Sequence, residues 1–453
     1  VFDPICRRSG GRSFHHTRQT QADFPDFPNR HKLVAGKSGG PGIQKIGTTV
    51  SGMLKMAADG ALRAPDVYDA EPIPDAAKAE IDRLLASGDL FRYTAPEGAP
   101  VALLEAEFAE LLGSRYALAV SSCSAALFLS LKALDLPRGA RVLIPAFTFA
   151  AVPSAVVHAD CLPVLVEVGQ NYRIDMADFA AKLPGADAVM ISHMRGHTSD
   201  MDAIMALADA AGIPVIEDAA HSLGTEWHGR KIGTIGKIGC FSFQSYKMIN
   251  AGEGGILVTD DPELAARAVI MSGAYEHNWK KHAGLQNSYM LWQNRLPLYN
   301  MRMQNLSAAV IRPQLPHLAD RVAKGRANHD LVATLLNGSG YFDVPKTLAP
   351  EERAPDSIQF NLKGFATDES ALAFQAAAKL RGVTVQVFGL SQDNARAFWN
   401  WQFLPEMPDL PMTRAMLMRA CDVRLPTRLS VDDLHFIAAA LIDSAAEALA
   451  KAA

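Results

Sequence analysis

Cysteine is scarce and scattered: Cys6, Cys123, Cys161, Cys240 and Cys421 are odd in number, form no CxxC pair and join no His/Cys cluster at metal-ligand spacing. That excludes a structural zinc and points to a reducing, cytoplasmic setting. An excess of charge is lacking too. With 44 Lys and Arg against 48 Asp and Glu, the net charge is -4 and the pI about 6.4, so no global basic field recruits nucleic acid or an acidic membrane. The most apolar stretch, 142–168, is broken by Pro145, Pro153, His158, Asp160 and Pro163, which excludes it as a membrane span. Past residue 52 there is no internal repeat or low-complexity tract. What is present is a chain of 453 residues, 49% hydrophobic and 20% charged, long enough for two or three domains. Its composition is that of a globular enzyme acting on a small molecule.

Residues 1–52 differ from the rest, with eight Lys/Arg against three Asp, eight Gly, four Pro and no sustained period of 2 or 3.6. They are expected to be poorly ordered. An Arg-rich, Glu-free start resembles a transit peptide in composition but lacks an amphipathic helix; an extension not native to the protein, ahead of Met53 or Met56, is the other reading. From about Pro72 helices are expected at 75–87 and 101–112. Strand and helix signals then alternate: strand 116–120, helix 124–134, strand 141–144, helix 149–158 and strand 162–168, then strand 186–192, helix 200–211 and strands 214–217, 240–243 and 255–259. This alternation implies an α/β fold with a mainly parallel sheet sandwiched by helices. A long helical stretch over 306–336 follows. The tail then thins to strands near 357–362 and 384–387 and helices at 369–380 and 431–452, a smaller α+β domain. The expected division is 53–310 for the N-terminal helices and the large domain, and 311–453 for the small one.

The segment VIEDAAHSLGTEWHGRKIGTIGKIGCFSFQSYKMINAGEGGILVTDD, from Val215 to Asp261, carries the chemistry. With SSCSAAL at 121–127, PAFTFAA at 145–151 and YNMRMQNLSAA at 299–309, it resembles the DegT/StrS family of sugar aminotransferases, a branch of the fold-type-I enzymes that use pyridoxal 5'-phosphate (PLP). The resemblance runs from about Phe91 to the C-terminus. It implies that Lys247 carries PLP as a Schiff base and shuttles protons, since the cofactor needs a primary amine for both. Gly252, Gly254 and Gly255 would let the backbone pass close to the cofactor, or simply make a hairpin turn.

The remaining roles follow from the same resemblance. Asp218 matches the carboxylate that keeps the pyridine nitrogen protonated, although a strand-end Asp is also a common helix cap. Its neighbour Glu217 points to the opposite face of the strand. His221 falls where the family places a hydrogen bond to the cofactor's phenolic oxygen, with a structural role as the alternative. Phe149 matches the aromatic that covers the ring, and Phe147, two residues earlier, competes for that place. Ser122, Cys123, Ser124 and Ser242 would hold the phosphate; the same serines also fit an ordinary capped helix, and Cys123 stands where the family commonly has Gly. Asn300 matches a residue that reaches the phosphate across a homodimer interface, so the site would be shared between subunits. Arg195, His197, His277, Lys280, Lys281 and Arg302 are further candidates for the substrate side, solvated surface positions being the ordinary alternative.

The activity implied is transfer of an amino group from an amino acid, glutamate or glutamine, to a keto sugar, nucleotide-linked or not, with no metal. One rival is a dehydratase of the same fold, but that branch has histidine where this chain has Lys247. The other is a PLP-binding regulator, which would carry a DNA-binding module; no helix-turn-helix pattern is found.

Overall fold

The computed structural model describes residues 64–95, 98–282, 284 and 286–452, so the expectation for residues 1–52 lies outside the described residues. Helix α1 (Asp75–Ser87) ends on Gly88 and α2 (Pro100–Leu112) on Gly113, both glycines at positive φ, as left-handed C-caps require. Strand β1 (Tyr116–Val120) leads into α3 (Cys123–Ala133), and β2 (Arg141–Pro145) into α4 (Ala151–His158). There follow β3 (Leu162–Val166), α5 (Met176–Lys182), β4 (Ala188–Ser192), α6 (Met201–Ala211) and β5 (Val215–Asp218). A hairpin, β6 (Ile238–Ser242) and β7 (Gly255–Thr259), precedes α7 (Pro262–Met271) and α8 (Gln286–Trp292).

These seven strands form one sheet in the order β1-β7-β6-β5-β4-β2-β3. The four pairings from β6 to β3 are parallel, and β7 alone runs against both its neighbours. Strands β4 to β7 are buried along their whole length. That is why they read as continuous apolar runs: a sheet flanked by helices has no solvent face. The α/β class with a mainly parallel sheet is therefore as expected.

The helical stretch expected over 306–336 is broken into α9 (Asn305–Ile311), a 3-10 segment (Arg312–His317) and α10 (Leu318–Ser339). Pro313 and Pro316 explain the break, since each removes an N–H and crowds the preceding turn. A four-stranded antiparallel sheet completes the fold, in the order β8 (Phe342–Asp343), β9 (Ser357–Leu362), β11 (Ala420–Arg424) and β10 (Gln386–Val387). It packs with α11 (Asp368–Leu380) and α13 (Val431–Ala452) around a second core that holds Phe360, Phe374 and Ile437. Two features cross the expected division at 310/311. Helix α10 gives Leu318 and Val322 to the first core and Val332 and Leu336 to the second, and Phe388, Phe398 and Trp401 return to the first core with α12 (Pro411–Leu417). Among the described residues no helix is long and apolar enough to cross a membrane.

Candidate active site

The parallel strands β2, β4, β5 and β6 all end at one edge of the sheet, where β4, β5 and β6 close on Ser192, Asp218 and Ser242 and the turn leaving β2 carries Thr148. Asp218, 7% exposed, closes β5. Its Oδ2 accepts from Ser192 Oγ at 2.7 Å, Ser192 Oγ accepts from Thr148 Oγ1 at 2.9 Å, and its Oδ1 accepts from Ala220 N at 3.1 Å. This hydroxyl chain was missed in the sequence, where a Thr and a Ser 44 residues apart give no sign of meeting. Glu217 serves a different purpose: it accepts from the backbone of Gly233, Ile235 and Gly236 and from buried His193, and so staples the 233–236 turn.

Lys247 sits in the loop between β6 and β7, whose neck is tied by Phe243 N to Gly254 O and Ala251 N to Phe243 O. The loop is pinned from outside by Gln314, which bonds both the N–H and the carbonyl of Asn250, and by Arg321 on the carbonyl of Met248. Half-buried Lys247 places Nζ 2.8 Å from Nε2 of His221. Burial, reinforced by the positive charge of Arg195, pulls the Lys247 amine down to about 8 from 10.5. Burial and then the charge of Lys247 push His221 well below its ordinary value, so its imidazole is neutral.

At the start of α3, Ser122 is the N-cap, its side chain accepting from Ala125 N at 3.1 Å. The capped-helix reading is thus met, and Cys123 and Ser124 are left as first-turn N–H donors without intrahelical partners. Cys123 Sγ lies 3.9 Å from Asp218 Oδ1; burial first, and then that carboxylate, raise the thiol well above 9.0 and keep it neutral. Gly255 of β7 packs so tightly here that a Cβ would lie 2.2 Å from the carbonyl carbon of Ser122. Ser242, at the end of β6, accepts from Gln244 N.

The two aromatic candidates separate clearly. Phe147 is enclosed between Tyr172 and Phe388, whereas Phe149 is 47% exposed at the strand-end edge. Asn300 is exposed, on a segment laced to the end of β1 through Ser121 N to Met301 O. Of the further polar candidates, Arg195 and His197 are buried rather than solvated: Arg195 pairs with Asp422, and His197 bonds Gln359 at 3.0 Å. Lys281 donates to Ala95 O and Arg302 to Gly273 O, and His277 and Lys280 are exposed. Direct contacts therefore pair Cys123 with Asp218 and His221 with Lys247, and Ser122 caps the helix that Cys123 begins.

Residues 75–442 match the family model described as the DegT/DnrJ/EryC1/StrS aminotransferase family. The chain is 38% identical over 245 residues to the spore coat polysaccharide biosynthesis protein SpsC of Bacillus subtilis (strain 168), across 53% of this chain and 61% of that protein. It is 37% identical over 221 residues to the UDP-N-acetyl-3-dehydro-alpha-D-glucosamine 3-aminotransferase of Acidithiobacillus ferrooxidans, across 48% and 56%. The chain thus spans less than two thirds of the length of these relatives. The crystal structure of 3-amino-5-hydroxybenzoic acid synthase superposes with a TM-score of 0.74 at 26% identity, covering 85% of this chain and 100% of that one.

Proposed function

The chain belongs to the DegT/DnrJ/EryC1/StrS aminotransferase family, and from that premise we propose that it transfers an amino group from glutamate or glutamine to a keto sugar, free or nucleotide-linked, using PLP held on Lys247. One observation carries the reading: an amine depressed to about 8, a buried strand-end carboxylate and a helix N-terminus converge at one edge of one sheet.

The donor set fits the cofactor. Lys247 supplies the primary amine; the N–H groups of Cys123 and Ser124, with the hydroxyls of Ser124 and Ser242, suit a phosphate; Asp218 suits a ring nitrogen, His221 a phenolic oxygen and Phe149 a ring face. When bound, PLP supplies an electron sink for the pair left as a proton departs from the carbon bearing nitrogen. The chain's own groups handle charge and protons. Asp218, aimed by Ser192 and Ala220 N, holds a proton on the ring nitrogen. Lys247 Nζ, titrating near 8, would take a proton from the carbon bearing nitrogen and deliver it to the carbon on the other side of that nitrogen, without a large mismatch to neutral pH. Neutral His221 offers a lone pair and adds no repelling charge when that amine is protonated.

Borohydride reduction of the loaded protein followed by peptide mapping tests the assignment. The label is expected on Lys247, and a label on another lysine would sink the reading. The sign of the pH effect is also set: the reactive neutral amine grows as pH rises through about 8, so loading of cofactor-free protein should accelerate across that range and then level off.

A further inference from the structure

The turn after β4 contains Arg195, which the cofactor reading leaves without a task. Arg195 adopts a left-handed backbone (φ 56°, ψ 25°) and is followed by Gly196 at φ 77°, a pair that non-glycine residues avoid unless held. It is held here. Arg353 Nη2 donates to the Arg195 carbonyl at 3.0 Å, and Gly196 packs against the His221 carbonyl, which a Cβ would approach to 3.2 Å. The turn delivers the Arg195 side chain to Asp422 on β11 of the small sheet.

Alternation along β11 puts Arg424 on the same face as Asp422. Arg424 lies 4.3 Å over the Tyr246 ring and bonds the Tyr246 carbonyl at 3.4 Å, one residue from Lys247. Across the sheet Asp422 is opposite Gln386, whose Oε1 accepts from Arg396 Nη1 at 3.3 Å. Three guanidinium groups therefore gather around one carboxylate, beside His221 and Lys247.

Buried Arg92 and Arg173 are matched with carboxylates, in the pairs Arg92–Glu105 and Arg173–Glu351. The arginines around Asp422 are not each so matched. Arg195 and Arg424 are 7% and 8% exposed, and among the described residues Arg195 Nε, Arg396 Nε, Arg424 Nε and Arg424 Nη1 find no acceptor. Asp356 also acts on Arg424, but its Oδ1 is engaged by Ser357 Oγ at 2.8 Å. Buried cations without partners are costly, and an oxyanion that accepts from planar guanidinium forks would relieve the excess.

We propose that Arg195, Arg396 and Arg424 form an oxyanion pocket of this site that receives a carboxylate or phosphate of the substrate reacting at Lys247. The proposal rests on the function proposed above. A carboxylate would come from the amino donor and a phosphate from the acceptor.

Calorimetric titration of the cofactor-loaded protein with glutarate, a dicarboxylate without an amine, and with uridine diphosphate, a phosphate without a sugar, distinguishes the two sources. Wild type, Arg396→Gln, Arg424→Gln and Arg424→Lys are compared. The glutamine variants should bind one probe at least about 10-fold more weakly, with Arg424→Lys recovering part of the loss. Weakening confined to glutarate assigns the pocket to the donor carboxylate; weakening confined to uridine diphosphate assigns it to the acceptor phosphate. Half-buried Arg396 keeps the test open should Arg424→Gln not fold. Unchanged affinity for both probes, or no binding of either by wild type, overturns the pocket. Borohydride labelling of Lys247 in the same preparations separates the two failures: an intact label with unchanged binding removes only the arginine pocket, and absence of the label in wild type removes the functional reading.

Discussion

At the scale of single residues, Asp218 is defined by what holds it. Its Oδ2 is met by Ser192 and, through Ser192, by Thr148. A hydrogen bond to a charged group contributes about 1.5–3 kcal/mol, so Ser192→Ala should slow the proton-transfer half-reaction by roughly 10- to 100-fold while leaving the cofactor bound. Asp218→Asn keeps the shape but removes the charge, and should cost about 10²–10⁴-fold in the same measurement. Single-turnover absorbance of the cofactor with an amino donor reads both. Equal rates in all three proteins would move the charge-stabilising role away from Asp218. As a candidate Asp218 was legible, because a strand-end carboxylate three residues before a His lies in one short motif. Ser192 was not, since its partner is 26 residues away and their contact depends on β4 pairing with β5.

At the scale of elements, the hairpin β6–β7 and helix α3 make the site together. Gly255 is where they touch: a Cβ there would meet Ser122 C at 2.2 Å and Cys123 N at 2.4 Å, backbone atoms that cannot rotate away. Gly255→Ala should therefore push the start of α3 off β7, destabilising the protein by about 1–3 kcal/mol and weakening PLP retention. Gly252, with open space around it but φ 75°, should lose about 1 kcal/mol on the same substitution and keep the cofactor. Thermal denaturation and equilibrium dialysis of PLP check the pair, and full PLP retention in Gly255→Ala would refute the contact's importance. The loop glycines were expected to let the backbone pass close to the cofactor or to make a hairpin turn; the close approach present is that of Gly255 to the start of α3, a partner invisible in sequence. β11 escaped notice altogether: its run ACDVR carries Asp and Arg into a fully buried strand, against the usual polarity of such a segment.

At the scale of the whole molecule, the open question is whether one chain makes a complete site. Asn300 is exposed beside the end of β1, with its neighbour Met301 bonded to Ser121 at the mouth of α3. We propose that it reaches the phosphate of a partner subunit in a homodimer. Mixing Lys247→Ala with Asn300→Ala under confirmed subunit exchange tests this, provided Asn300→Ala alone is clearly impaired. If Asn300 acts across the interface, a mixed dimer gathers both lesions in one site and leaves the other intact, so up to about half the activity of that dimer returns. Exchange without recovery would leave Asn300 a turn or surface residue.

The sequence alone was sufficient for the α/β class and for most of the strands and helices through residue 259, α5 (Met176–Lys182) being the helix it did not show, and it put the candidates Asp218, His221 and Lys247 in one short stretch. Buried strands write continuous apolar runs, and candidates carried between the end of β5 and the β6–β7 loop fall within one contiguous segment. Only the tertiary structure decided three other matters. It enclosed Phe147 and exposed Phe149, because that choice depends on Tyr172 and Phe388 from other elements. It sent residues 388–417 back to the first core, because that burial is set by docking rather than by local periodicity. And it brought Arg195, Arg396 and Arg424 around Asp422, because groups up to 229 positions apart in sequence become neighbours only when the small sheet packs on the strand ends.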